Sequence, residues 1–391
     1  MTLRHGDVEL TTTTSESSLP PTKTINTAIL KTAPDDSSSE DVPTNSTFTD
    51  TQNMLRMGKR QELVRSFRLL SIAAFTAIAT AAWELGLFLL SPGLINGGRS
   101  GLIYSTLWNF LGFLPVYLSM AEMASIAPIA GAQYHWVSEF APEKYQKVLS
   151  YMTGWTSTIA WQAGNAMGVI LTGTLIQSII LVNDEEYGFE NWQGTLLAIA
   201  VMAVAYIVSV YGHKSLPKWQ LALFGIHVAA YFGYLVPVWI NAPKATHTEV
   251  WSSFSNSGGW SSTGLAVLVG QLPGISQQIG IDTAAHMSEE VRDAAYTVPR
   301  AMLFVYIFNM VIIFPGILTV CYHIPDLDAA LDDPTTYPAI YVLRQAMSTG
   351  WMTVVLAITV FILMASNVVY LAAVTRDLYA FARDHGLPFS G

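Results

Sequence analysis

The chain has 391 residues, of which 51% are hydrophobic and only 12% charged, with a mean hydropathy of +0.39 and a formal net charge of −9. An ordinary soluble domain carries about 25% charged residues, so the composition excludes a typical water-soluble surface and points to one that faces lipid. The acid lies largely in the tail and loops, so no nucleic-acid partner is implied. A single cysteine, Cys321, excludes an intramolecular disulfide framework, and the opening MTLRHGDVEL has no apolar signal core.

Residues 1–53 hold 13 Thr and 7 Ser with few aromatics. Such a segment buries too little apolar area to offset its ordering entropy, so residues 1–66 read as a disordered cytoplasmic tail. It is either a site of phosphorylation or degradation control or an unconstrained tail. From Leu69 onward, long apolar runs alternate with short polar ones. A membrane span needs about 20 mostly apolar residues. Eight candidates follow, at about 69–90, 102–128, 148–182, 195–211, 219–240, 264–285, 301–321 and 351–374. The membrane domain therefore runs over 67–391.

Basic residues set the direction of those spans. Arg56, Lys59, Arg60, Arg65 and Arg68 precede span 1; Lys144, Lys147, Lys214, Lys218, Arg292, Arg300, Arg376 and Arg383 follow the even-numbered spans. The opposite side holds only Arg99, Lys244 and Arg344. Both ends are expected in the cytoplasm, and the sequon Asn45-Ser46-Thr47 is expected to stay unglycosylated.

Two spans are interrupted. Span 1 contains AAWELGLFLLSPGL (81–94), with Glu84 inside the apolar run. Span 6 reads LAVLVGQLPGISQQIGIDTAA (265–285), broken by Pro273, Gly274 and Gly280 and followed by Asp282. Proline removes a helix hydrogen bond and glycine weakens the helix, so both spans are expected to unwind locally. They lie five apart, and an odd offset makes them cross in opposite directions, as equivalent members of an inverted repeat do. Paired interrupted spans mark a transporter's binding site. A carboxylate at mid-membrane costs about 2.5–3.5 kcal/mol, so Glu84 should face protein. It is read as an anionic partner for a cationic substrate, as a proton carrier, or as a brace for the unwound segment. His227, mid-span 5 in LFGIHVAAYFGYL, is a second intramembrane ionisable group, either proton-exchanging or a hydrogen-bonded neutral side chain.

Three motifs, AEMASIAPIAGAQYHWVSEFAP (121–142), IDTAAHMSEEVRDAAYTVPRAM (281–302) and RDLYAFARDHGLPFS (376–390), resemble the fungal amino acid/choline/GABA permeases of the amino acid–polyamine–organocation superfamily. The likeness runs from about Arg65 to the last residue. It implies an all-α, LeuT-type bundle of inverted five-helix repeats and secondary uptake of an amino acid or amine, commonly with protons. It places Trp83, Glu84, Leu85 and Gly86 at the unwound part of span 1, where backbone would bind a substrate carboxylate. It places Ser276, Gln277, Ile279 and Gly280 at that of span 6, and makes Asp282 a proton-sensing candidate. Family members have twelve spans against the eight found here, so the resemblance implies a chain shortened at its C-terminal end. An inactive shortened permease, or a nutrient sensor on the same fold, is the competing expectation. Departures are a polar Ser276–Gln278 where relatives carry an aromatic lid, and Val374-Thr375-Arg376 where Ala-Ser-Arg is common.

Trp161, Gln162, Asn165 and Asn367 are candidate cavity-lining residues. Ala160, Gly164, Gly168 and Thr172, at four-residue spacing, suit close helix packing. Glu122, His286, Glu289, Glu290, Arg292, Arg300, Arg376 and Arg383 gather at one end and are expected to form an inner-gate cluster. No H-E-x-x-H, C-x-x-C or phosphate loop is present, so neither enzyme chemistry nor ATP-driven transport is indicated, and no cofactor or metal is called for beyond a coupling proton. The expected partners are the bilayer and a small amino acid or amine. The membrane is plasma or vacuolar; sequence leaves the oligomeric state open.

Overall fold

The computed structural model describes residues 45–212 and 215–389. Residues 1–44, most of the segment read as disordered, and Lys214 lie outside the described residues. Seven helices are long and apolar enough to cross a bilayer: Leu69–Phe88, Ser91–Ile126, Gln146–Asn183, Asn191–Gly212, Pro217–Asn241, Ala294–Tyr322 and Thr349–Arg383. They correspond to spans 1–5, 7 and 8, and the protein is an all-α, multi-pass integral membrane protein. Among the described residues the only β pairing is an isolated parallel bridge, Phe67 to Val291.

Span 6 does not form one helix. It runs as Thr263–Val269 and Leu272–Ser276, breaks, and resumes as Thr283–His286. Gly280 sits in the break at φ +90°, a conformation that only glycine adopts without strain. Gly274 serves a different purpose: a Cβ there would lie 2.8 Å from Asn109 Nδ2 and 3.2 Å from the Ser105 carbonyl, so the short helix packs backbone-close on span 2. Span 1 is also two pieces, Leu69–Thr80 and Ala82–Phe88, joined through Ala81 in the left-handed region (φ 40°, ψ 46°).

Spans 3 and 8 pack along their lengths, as do spans 2 and 7, while span 1 lies against spans 5 and 7. The pairing of 1 with 6, 2 with 7 and 3 with 8 is that of LeuT-type inverted repeats. Span 1 is the buried centre, with 78% of its apolar window inside the protein, whereas span 4 has 22% and presents most of its surface outward. Gly164 and Gly168 allow the 3–8 contact: a Cβ at either would collide with Tyr370 or Asn367. Three helices extend well beyond the predicted limits. Span 2 starts at Ser91 through a kink at Gly98 (φ +68°), span 7 starts at Ala294, and span 8 continues to Arg383, adding more than two turns that carry charged residues.

The predicted tail boundary at residue 66 needs correction. Phe48–Arg56 is a helix, capped by a reciprocal box between Thr47 and Asp50. The following strand-like segment is stitched to the turn after span 6: Phe67 N–H donates to Glu290 O (3.0 Å) and Arg292 N–H to Phe67 O (3.0 Å). Composition averaged over fifty residues hid a short helix whose partners are more than two hundred positions away.

Candidate functional site

The two breaks face each other across a small cavity. Its walls are Ala79–Ala81 and Leu85 of span 1, Gly164, Met167 and Gly168 of span 3, Ile279 of span 6, and Leu363, Ser366, Asn367 and Tyr370 of span 8. Its free space is about 40 Å³, room for no more than a few waters at about 10–15 Å³ each. An amino acid or amine would enter only if Tyr370, Ile279 or a helix moved. Breaking span 1 frees carbonyls, and neighbours take them up: Ser366 Oγ donates to Ala79 O (3.1 Å) and Thr80 Oγ1 to Ala77 O (3.0 Å). Asn309 Nδ2 donates to Thr80 Oγ1 (3.1 Å), tying span 7 to the same break.

The predicted binding residues divide. Leu85 and Ile279 line the cavity, and Gly280 adjoins it through Thr80 and Tyr370. Gly86 lies against Gln277, whose amide nitrogen would stand 3.4 Å from a Cβ at that glycine. Gln277 and Gln278 are fully buried, and neither side-chain amide finds a protein partner. Ser276 is turned back on its own helix, its hydroxyl donating to Pro273 O (2.9 Å). The side chains of Trp83 and Glu84 do not line this cavity. Successive helix residues are about 100° apart, so Leu85 faces the cavity while Glu84 turns to span 5.

There Glu84 meets His227. Both are buried, with Glu84 Oε1 2.9 Å from His227 Nδ1. Trp83 Nε1 stands 3.1 Å from the same nitrogen. An indole N–H can only donate, whereas an ionised carboxylate can only accept. Nδ1 can satisfy one of them at a time: it accepts from Trp83 when bare and donates to Glu84 when protonated. A protonated Glu84 instead competes with Trp83 as a second donor. Glu84 Oε2 has no protein partner. The position of one proton therefore decides the hydrogen bonding of three buried side chains.

Of the expected cavity-lining set, only Asn367 holds. Its amide donates to Thr172 Oγ1 (2.9 Å) and Leu363 O (2.8 Å). Gln162 is exposed, two residues and so about 200° from the inward-facing Gly164. Asn165 faces span 4, with Nδ2 3.8 Å from Met202 Sδ. Trp161 points below the cavity to His286, its Nε1 3.0 Å from His286 Nε2.

The charged cluster is real but smaller than expected, at the end of the bundle that carries the N-terminal segment, called the inner end below. Arg383 clamps Glu289 through two bonds (2.8 and 3.0 Å), and Arg376 Nε pairs with Glu290 Oε1 (2.6 Å). Glu122, Arg292 and Arg300 are exposed and make no ion pair there; Arg300 stacks instead on Tyr296, 3.4 Å from its ring centre. His286 is fully buried, and Asp282 accepts from Gln133 Nε2 (2.5 Å).

Several functional-looking residues escaped the sequence reading. Asp377 is buried six residues before Arg383 on the same helix and accepts from Ser157 Oγ (3.0 Å) and Thr158 Oγ1 (3.1 Å). Asp50 caps span 7, accepting from the backbone N–H groups of Asp293 (2.9 Å) and Ala294 (3.0 Å), with Arg65 Nη1 3.5 Å away. Burial pushes the Arg65 guanidinium below its ordinary value and Asp50 opposes that push. Arg65 also donates to Ser288 O (2.9 Å), Lys59 pairs with Asp384, and Tyr379 bonds Glu62. Asp377 lacked the signal that singled out Glu84, because it follows Arg376 in the charged stretch beyond the apolar run of span 8.

Residues 67–391 match the family model described as amino acid permease. A protein named as an amino acid/polyamine transporter of Macrophomina phaseolina is 30% identical over 309 residues, covering 77% of this chain and 68% of its own length. The GABA-specific permease of Saccharomyces cerevisiae is 25% identical over 361 residues (87% of this chain, 61% of that protein). The choline transporter of the same yeast is 26% identical over 333 residues (84% and 59%). The chain thus spans roughly two thirds of the length of the curated relatives it matches. With interrupted helices around a buried cavity and a family match over most of its length, this chain belongs to the amino acid permease family, a family of transporters and not of enzymes.

Proposed function

We propose that this protein moves an amino acid or a related amine across the membrane by alternating access, coupled to protons. The observation that carries the reading is the pair of helix breaks, at Ala81 and Gly280, walling one buried cavity beside a carboxylate–imidazole pair. Backbone groups freed at a break offer N–H to a substrate carboxylate and C=O to an ammonium. Glu84 and His227 hold the coupling proton one residue from the cavity wall, so loading the cavity and moving that proton act on the same short helix. GABA-like, choline-like, polyamine and neutral amino acid substrates all fit this chemistry class.

The basic residues ahead of span 1 support a cytoplasmic N-terminus, and on that reading the ion-paired end is the inner gate. The plasma membrane is the proposed location, with the vacuolar membrane as the alternative. The test is uptake of a labelled panel (neutral and basic amino acids, GABA, choline, polyamines) into permease-deficient yeast expressing the chain, at two pH values with insertion checked in parallel. Saturable uptake of one member, stronger at acid pH, is the expected result. Absence of uptake by a correctly inserted chain would overturn the reading in favour of a sensor.

A further inference from the structure

His227 is not the only histidine held between an indole and a carboxylate. His286, fully buried below the break in span 6, has two ring nitrogens with opposite demands. Nδ1 lies 2.9 Å from the carbonyl of Ala130, and a carbonyl can only accept, so Nδ1 carries a hydrogen. Nε2 lies 3.0 Å from Trp161 Nε1, and an indole can only donate, so Nε2 is bare. The two partners together fix the neutral Nδ1–H form. Around it stand two carboxylates: Asp282 on its own element, with Oδ2 3.8 Å from Nε2, and Asp377 from span 8, with Oδ1 3.6 Å from Nδ1. Glu289, which accepts from Ala130 N–H (3.3 Å), is neutralised by Arg383.

We propose that His286 is a second proton site, on the inner side of the cavity, and that protonation of Nε2 transfers its hydrogen bond from Trp161 to Asp282. The proposal rests on the proton-coupled reading above and extends it to a residue set of its own. Histidine is the side chain whose ordinary titration falls nearest neutral pH, and two flanking carboxylates favour its charged form where burial alone would oppose it. The step balances as one proton added at Nε2: the Trp161 N–H loses its acceptor, the new N–H points at Asp282, and Asp377 remains the counter-charge on the other side of the ring.

The switch is joined to the cavity on both of its arms. Trp161 packs on Tyr370, ring centres 4.7 Å apart, and Tyr370 is a cavity wall. Asp282 is two residues past Gly280, the left-handed turn of the break, and three past Ile279, another wall. Neutral His286 therefore bonds to span 3, and charged His286 bonds to Asp282 in the part of span 6 after the break. A proton at this site changes which of the two helices the ring belongs to.

His286→Gln separates the outcomes. Glutamine can donate to Ala130 and accept from Trp161 as neutral histidine does, but takes up no proton. In cells and vesicles carrying the full chain, accumulation of substrate above equilibrium is expected to collapse, while exchange of labelled for unlabelled substrate falls far less. Trp161→Phe removes the competing donor, so His286 keeps its proton to higher pH and the pH of half-maximal uptake rises by roughly one unit. Nitrogen resonances of histidine-labelled protein, with His286 assigned by its loss in His286→Gln, are expected to show the Nδ1–H form at alkaline pH and protonation of Nε2 as the pH is lowered. An Nε2–H form, an absent titration, or His286→Gln accumulating substrate with an unaltered pH profile would each overturn the proposal. Should the unsubstituted chain transport nothing in the panel, the proton-coupled reading falls by itself, and the nitrogen titration alone decides whether His286 is a proton site.

Discussion

The middle of the bundle and its inner end treat their buried carboxylates in opposite ways. In the middle, Glu84 Oε2 and the side-chain amides of Gln277 and Gln278 are buried without a protein partner. At the inner end the buried carboxylates are taken up: Glu289 by Arg383 and the Ala130 N–H, Asp377 by two hydroxyls, Asp50 by the first amides of span 7. An unmade hydrogen bond on a buried group costs about 1–3 kcal/mol. The middle is thus under-bonded in a way that a polar guest or a proton can relieve, and the inner end is bonded in a way that holds one conformation shut. Function and stability are assigned to different layers of the same helices.

That contrast is broken or sharpened by four substitutions and one control. The largest effect is expected from Glu84→Gln: concentrative uptake falls by more than about tenfold, or ~1.4 kcal/mol in transport terms, with melting temperature and insertion unchanged. Normal, still pH-dependent uptake by this variant would remove Glu84 from the mechanism. Next comes Arg383→Gln, which leaves Glu289, only 1% exposed in its side chain, without its cation. A loss of about 3 kcal/mol in stability is expected, read as a lowered melting temperature together with greater labelling of a cysteine introduced at the inner end. Arg376→Gln is the internal control, because its pair with Glu290 is more exposed (27% and 14%) and should cost under about 1 kcal/mol.

Third, Asp50→Ala removes the cap from span 7 and should cost about 1 kcal/mol, visible as faster proteolysis between residues 56 and 68. The smallest effect is the most pointed. Gln277→Leu replaces an unpartnered amide with an apolar side chain of similar size and is expected to be neutral or stabilising by a few tenths of a kcal/mol. A melting temperature lowered by the equivalent of more than about 1 kcal/mol would show that the amide is bonded after all, and the contrast between layers would lose its clearest member.

The spans and their breaks were legible in the sequence because both follow from composition along the chain. Apolar runs of sufficient length must cross, and Pro273, Gly274 and Gly280 must interrupt. What the sequence did not disclose was azimuth. Glu84 and Leu85 are neighbours in sequence and face different helices; Gln162 and Gly164 lie in one apolar run and look in opposite directions. Arg376 and Arg383, seven residues apart, share a face and both find glutamates, whereas Arg292 and Arg300 were grouped with them by charge alone and point outward. Asp50 was overlooked for a different reason: its local box with Thr47 was readable, but its real partners are the amides of Asp293 and Ala294, and no local pattern announces a contact across that distance.

The Asp50 cap also bears on the order in which the protein can be finished. The carboxylate is synthesised before the first span, and the amides it closes belong to the seventh, so no ribosome-bound intermediate with fewer than seven spans can seat the N-terminal helix. Until then Asp50, Arg65 and the edge of Phe67 remain unclaimed, open to whatever else in the cell reads such a segment. Docking of that helix therefore marks a bundle assembled through span 7, and its release in a mature chain would return the protein, at that end, to the surface it showed while still being made.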